Sequence, residues 1–323
     1  MPPLASVRAL SEAVERWRDG AADAVAFDDD VDRCRAAFAA IARVREADVA
    51  IGAAVSTLTG LIAAGLRPGA RVLLARDEFS SVASPFLALR DHGRIELELV
   101  PFEELPGAVH PGLDLVAWSS VRSQDGLVSD VEAVAAAAER HGVATCLDAT
   151  HSMGWLALDH ARLDYVAAAA YKWLLCPKGV AFLVVGERRR DALPPVTAGW
   201  YAGADRWDDL YGEPPQRAAG ARRFDAAPAW LTWVAAAPAL ELLAGIGPKA
   251  IGAHDLALAA RLREALGMPA GGSPIVAVER PRAVERFAAA GLRAAGRDGR
   301  LRVGLHLYND EADVDAAIAA LTG

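Results

Sequence analysis

The chain has 323 residues, 53% of them hydrophobic and 24% charged, enough for one large core and a smaller one beside it. A net charge of −8 sets up a global field that repels nucleic acid and anionic membrane. No uninterrupted apolar run reaches the ~20 residues that span a bilayer, and MPPLASVRALSEAVERW lacks the basic and apolar blocks of a secretion signal, so a cytoplasmic location is expected.

In chain order, the first 50 residues read as helices, with apolar positions at helical spacing in SVRALSEAVERW and VDRCRAAFAAIARV. VAIGAAVSTLTGLIAAGL gives a short strand, a small-residue turn and an apolar helix. Strands and helices then alternate: RVLLA, helix SSVASPFLALRDHG, IELELV, LDLVAWSS, helix VSDVEAVAAAAERHG, ATCLDAT, YVAAAA and GVAFLVV. Strands that are apolar throughout predict an α/β core with a parallel sheet buried on both faces and ligands at its carboxyl edge. Residues 190–223, rich in Gly, Pro and aromatics, read as a long ordered loop with a functional or interfacial role. Two helices follow, and a tail of strand SPIVAVE, helix PRAVERFAAAG, strand LRVGLHLY and helix DEADVDAAIAALTG makes a small α+β unit. The expected division is an amino-terminal helix over 1–20 packing with the small domain, a large domain over 21–247 and a small domain over 248–323. Cys34, Cys146 and Cys176 form no CxxC pair or His/Cys cluster, so neither a disulfide framework nor a metal site is expected.

Two stretches concentrate chemistry, DATHSMG (148–154) and YKWLLCPKG (171–179). Asp148 ends an apolar strand, where a carboxylate can keep a heterocyclic nitrogen protonated and make its ring an electron sink. Lys172 follows YVAAAA, where a lysine of depressed pKa can form an imine with an aldehyde. The competing reading makes Asp148 a helix cap and Lys172 a strand-end lysine whose head reaches water. Ser56 and Thr57 sit at the entry to an apolar helix, suited either to a phosphate or to plain capping. Arg302 lies inside an apolar strand, where an unpaired charge is costly. A bidentate carboxylate resolves that cost, from an amino-acid substrate or from an internal Asp or Glu.

From about residue 50 onward these motifs resemble class V of the aminotransferase superfamily. These are fold type I pyridoxal-phosphate enzymes, which also include cysteine desulfurases, kynureninases and isopenicillin-N-epimerase-like enzymes. The resemblance implies a mostly parallel central sheet flanked by helices, with a small α+β carboxyl-terminal domain. It places Asp148 at the pyridinium partner, Lys172 at the Schiff-base lysine and His151 at the Gln/His position that reaches toward the cofactor's ring hydroxyl. Those three are the catalytic candidates. Ser56 and Thr57 take the place of the phosphate-binding pair, Tyr171 approaches the phosphate, and Ser123 stands where relatives often carry Asn. Phe79 of DEFSS occupies the ring-stacking position, although a Phe at a strand end is as often core. Arg302 inherits the grip on the substrate carboxylate, and Arg122 either contacts substrate or is solvated. Arg297 and Arg300 read as surface residues, and Trp200 and Tyr201 as borders of the active-site mouth.

The match also breaks in places. Ala169 replaces a phosphate-binding serine, and RRFDAAP (222–228) has Ala226 and Ala227 where relatives that reach the partner's phosphate carry Gly-Thr or Gly-Glu, leaving Arg222 or Arg223 as the available charge. The chain starts late relative to the family, which implies either a mis-called gene start or a more open site. No cysteine follows Cys176, which disfavours persulfide chemistry. The resulting expectation is a pyridoxal 5′-phosphate enzyme acting on an amino acid or amine, an aminotransferase in its class label, with a homodimeric site. Kynureninase-like hydrolysis, C–S cleavage and racemisation share its first steps. A non-catalytic descendant that binds the cofactor is the alternative from another class, opposed by the retention of Lys172, Asp148 and Arg302. A nucleotide-binding Rossmann enzyme is disfavoured because VSTLTG does not match GxGxxG.

Overall fold

Seven apolar stretches pair into one sheet: β1 (Val49–Gly52), β2 (Ala70–Ala75), β3 (Ile95–Val100), β4 (Leu115–Ser119), β5 (Ala144–Asp148), β6 (Tyr165–Ala169) and β7 (Ala181–Val185). Their spatial order in this computed structural model is β1-β7-β6-β5-β4-β2-β3. The structure describes every residue except 209, 212–215 and 298. The parallel expectation holds from β3 through β6, while β7 runs antiparallel to both β6 and β1. The reason is length: residues 170–180 are too few for the helical crossover that parallel neighbours need.

Helices cover both faces of the sheet: α1 (Leu4–Arg18), α2 (Ala24–Ala42), α3 (Val55–Ala64), α4 (Ser80–Asp91), the short α5 (Leu105–Ala108), α6 (Val131–His141) and α7 (Trp230–Ile246). One core packs α2 and α7 on the sheet, with Phe38 stacked on Phe182 at 4.1 Å between ring centroids. The other packs α3 and α4 on the opposite face. Inside the first, Arg35 of α2 makes a bidentate pair with Asp225, whose Oδ1 also accepts the Ile51 N–H at 2.9 Å. The 225 segment is thereby fastened to β1.

The small domain comprises α8 (Pro248–Ala265), β8 (Ile275–Val278), α9 (Ala283–Ala289), β9 (Ala295–Arg297), β10 (Arg300–Gly304) and α10 (Glu311–Thr322), with the antiparallel order β8-β10-β9. Strand β9 is an addition to the sequence reading; three residues, one half-buried and two exposed, offer no alternation to detect. The amino-terminal helix does not pack with this domain as expected. Its Ala13 buries against Phe27 of α2 and Val234 of α7, which makes α1 part of the large domain. Two glycines allow the domains to touch closely. A Cβ at Gly252 of α8 would stand 2.3 Å from the Trp155 carbonyl oxygen, and one at Gly126 2.6 Å from Ile275 Cβ.

The 190–223 loop is ordered where it is described, residues 209 and 212–215 lying outside the described set. Trp200 and Tyr201 turn inward instead of bordering the site, while Tyr211 is exposed. Tyr201 is fully buried and donates to Asp28 at 2.6 Å, while Trp200 packs against Tyr201, Trp207 and Trp230. Burying these large rings on α2 and α7 outweighs leaving them at a wet mouth. Among the described residues no single helix is long and apolar enough to cross a membrane, and α7 with α8 passes only as a pair bent by 85°.

Candidate active site

Strand β5 delivers Asp148 to the carboxyl edge of the sheet, where it is buried. Its Oδ1 accepts the Thr150 N–H at 2.8 Å, and the Thr150 hydroxyl accepts the Ala169 N–H at 3.0 Å. Thr150 thus locks the ends of β5 and β6 together, so that the turn after β6 holds Lys172 beside the aspartate. Burial raises the Asp148 carboxyl to about 6, against the pull of Thr150 and of the Lys172 charge. Lys172 is shifted down, first by burial and then by the charges of Arg302 and Arg297.

Asp148, His151, Lys172, Phe79, Ser56 and Ser123 meet in the wall of one cavity of about 330 Å³. His151 is held neutral, with burial, Lys172 and Arg302 lowering it to about 3, and its Nδ1 is buried without a hydrogen-bond partner among the described residues. At one end the first turn of α3 contributes Val55 and Ser56, and the leading N–H groups of a helix have no partners within it. Thr57 is not in the wall; it lies inside the first turn of α3 and its hydroxyl donates back to the Ala54 carbonyl at 3.0 Å, while the cap position itself is Ala54, without a side-chain cap, so the plain N-cap reading does not hold either. Ala169 is in the wall, as are Tyr171 and Lys178, whose ammonium lies 5.8 Å from the Tyr171 ring centroid.

A second cavity of about 270 Å³ shares His151, Tyr171 and Lys172 and is closed by the small domain through Arg302, His306 and Tyr308. Arg302 donates to the carbonyl oxygen and the hydroxyl of Ser123, both uncharged, and no described carboxylate pairs with it. Arg122 is not brought to either cavity. Asp125 takes its guanidinium at 2.6 Å and Glu103 at 3.3 Å, so its donors are spent inside one loop and its neighbour. Neither the substrate contact nor the solvated state considered for it describes that place. Arg222 and Arg223 lie away as well, donating to the Gly203 carbonyl and to Asp191.

Several site residues escaped the sequence reading. Glu78 accepts from the Phe79 N–H at 2.7 Å and the Ser119 N–H at 2.8 Å, fixing the loop that presents Phe79. Trp173, His306 and Tyr308 form a ring stack with 4.8 Å centroid spacings, and the stack bridges the domains beside Lys172. Thr150 was legible in principle: a hydroxyl two residues after a strand-end carboxylate is placed to hold the next strand.

A buried carboxylate and a half-buried lysine line one cavity together with the amino-terminal turn of a helix, a set of groups that suits a phosphorylated aromatic aldehyde. The chain belongs to the class-V aminotransferase family, which it matches over residues 51–283. It is 30% identical over 247 residues to isopenicillin N epimerase of Streptomyces clavuligerus, covering 68% of this chain and 60% of that protein. It is 32% identical over 238 residues to the uncharacterized aminotransferase YcbU of Bacillus subtilis (strain 168), covering 68% and 62%. The chain therefore spans about 60% of the length of these curated relatives. In fold it is similar to an apo cysteine desulfurase from Thermococcus onnurineus NA1 (TM-score 0.85, 18% identity, covering 99% of this chain and 90% of that one). It is also similar to the cystine C-S lyase C-DES (TM-score 0.87, 22% identity, covering 99% and 94%). The fold is type I, and the cofactor is pyridoxal phosphate. The residues present fit it: the unpartnered His151 nitrogen, the Asp148 carboxyl, the Lys172 amine and the α3 terminus all open on one space walled partly by small Ala53, Ala54 and Ala169.

Proposed function

We propose that this chain is an aminotransferase acting on an amino acid, with Lys172 as the residue that holds the cofactor. The observation that carries the reading is the position of Lys172 in the walls of both the Asp148 cavity and the Arg302 cavity. Bound pyridoxal phosphate supplies an electron sink for negative charge at the substrate's α-carbon. Asp148 would hold the ring nitrogen and would be charged beside that cation. His151, neutral, would be the partner of the ring hydroxyl, Phe79 would pack on the ring, and Val55 and Ser56 would offer helix N–H groups to the phosphate. Ser123 and Tyr171 close the wall. Arg302 grips the substrate carboxylate with a planar fork. Lys172, whose amine burial shifts toward the neutral form, would then move the proton at the α-carbon. Persulfide chemistry is disfavoured, because Cys34, Cys146 and Cys176 are all buried and burial pushes each thiol up. A homodimer with the site between two copies completes the reading.

The test is borohydride reduction of the cofactor-loaded protein followed by peptide mapping, then product analysis with amino acids. The expected label is at Lys172, absent from Lys172→Ala, with an oxo acid released and the amino group retained until a second oxo acid arrives. A label elsewhere sinks the cofactor assignment. Free ammonia or a cleaved side chain replaces transamination by hydrolysis or lyase chemistry on the same residues.

A further inference from the structure

Tyr171 and Lys172 line a third cavity, of about 350 Å³, on the side of the lysine where the amino terminus lies. Its other walls include Val7 and Leu10 of α1, Leu175, Ala235 of α7 and Tyr308 of the small domain. Among the described residues that line it, no carboxylate, guanidinium or imidazole appears. Besides Lys172, the two tyrosines, Cys176 and the amino-terminal residue Met1, its polar lining includes the Ser6 hydroxyl, which is buried and has no hydrogen-bond partner among the described residues. The three cavities that meet at Lys172 therefore differ in chemistry. The first offers acid, histidine and helix terminus, the second an arginine without a described carboxylate, and the third a mostly apolar wall without carboxylate or guanidinium among the described residues.

An amino acid undergoing reaction at Lys172 has three substituents to distribute from its α-carbon. The amine belongs with the cofactor and the carboxylate with Arg302, which leaves the third cavity for the side chain. Resting on the function proposed above, we infer that the α1-walled cavity is the side-chain subsite and that it selects a bulky apolar amino acid, aromatic or long aliphatic. A charged side chain there loses its water, and a cationic one finds no carboxylate among the described lining residues. An apolar one gains by burial, and the volume is of the size that encloses a small ligand. The Ser6 hydroxyl, two positions from the chain's exposed Leu4, then offers one hydrogen bond to a polar atom at the far end of such a side chain.

The test is a titration of the full-length, pyridoxal-phosphate-loaded protein with alanine, norvaline, norleucine, leucine, phenylalanine, aspartate and lysine, read by visible absorption and by kcat/KM. The expected gain is roughly tenfold for each of the first methylenes added, with aspartate and lysine below alanine. Val7→Asp, at a position 46% exposed and so tolerant of substitution, is expected to erase the preference for leucine and phenylalanine. Ala235→Leu narrows the cavity and is expected to cost phenylalanine more than alanine. Equal response across the panel, or preference for aspartate or lysine, overturns the subsite while leaving the cofactor reading intact. An unchanged preference in Val7→Asp together with a changed oligomeric state assigns the cavity to a second copy of the chain and also overturns it. No absorbance response to any amino acid overturns both proposals.

Discussion

Arg302 in the small domain and Ser123 in the large one are joined across the site, the guanidinium donating to both the carbonyl oxygen and the hydroxyl of the serine. Two neutral acceptors orient the arginine without cancelling its charge, which leaves the fork ready for an anion. Arg302→Lys keeps the charge but loses the planar double contact. Binding of an amino acid to the loaded protein is expected to weaken by ~1.5–3 kcal/mol, with cofactor affinity unchanged. Ser123→Ala removes only the hydroxyl contact and is expected to cost less than Arg302→Lys. An Arg302→Lys protein that titrates like the parent removes Arg302 from the substrate site.

Asp148 sets two demands against each other. The unfolded acid titrates near 3.8, and burial raises the folded one to about 6, so the folded apo-protein holds this proton more tightly. Its stability contribution is therefore undiminished below 3.8 and falls as the pH climbs through 6. Asp148→Asn is expected to raise the apo Tm above pH 6 and to leave it unchanged at the acid end. The same variant is expected to weaken pyridoxal-phosphate binding about tenfold or more, since a charged partner of the ring nitrogen is lost. Parallel loss of stability and of cofactor binding at neutral pH contradicts this account.

The Arg35–Asp225 pair is almost completely enclosed, its side chains 2% and 0% exposed. Arg35→Met strands a carboxylate in the core and is expected to cost ~3–5 kcal/mol in denaturant unfolding. The double variant Arg35→Met, Asp225→Leu removes both charges and is expected to recover part of that loss. Full recovery is not expected, because Arg35 also donates to the Val49 carbonyl and Asp225 also accepts from Ile51.

Asp255 of α8 is fully buried, and neither of its oxygens has a hydrogen-bond partner among the described residues. Burial raises its carboxyl from 3.8 to about 7, so it costs least when protonated and most above 7. Asp255→Asn is expected to stabilise the protein by about 1–3 kcal/mol above pH 7. The gain should shrink steadily as the pH falls toward 3.8. A gain that is constant with pH means that Asp255 is charged and paired in solution.

The sequence made the sheet legible because its strands are apolar on both faces, a pattern with few other uses. Asp148 and Lys172 stood out for the same reason, as charges placed where apolar runs stop. The direction of β7 was hidden because it depends on the length of a connection and not on composition. Arg122 misled because its partner, Asp125, is three residues away in a loop whose path no periodicity reveals. Tyr201 misled because an aromatic in a Gly-rich stretch looks alike whether it faces solvent or, as here, an aspartate on α2. The third cavity had no local signature, since α1 and the Lys172 turn are separated by most of the large domain in sequence.

Gly252 brings the backbone of α8 against the Trp155 carbonyl with no side chain between them, and the Trp155 indole in turn donates to the His151 carbonyl at 2.6 Å. A swing of the small domain about that point would have its fulcrum almost under the histidine and its long arm at Arg302. The ring-facing group would then stay still while the carboxylate grip travels, so admitting a substrate need not disturb the seat of the cofactor. Lengthening residue 252 by a single methyl group wedges that bearing apart, and its effect should appear at the far end of the lever first.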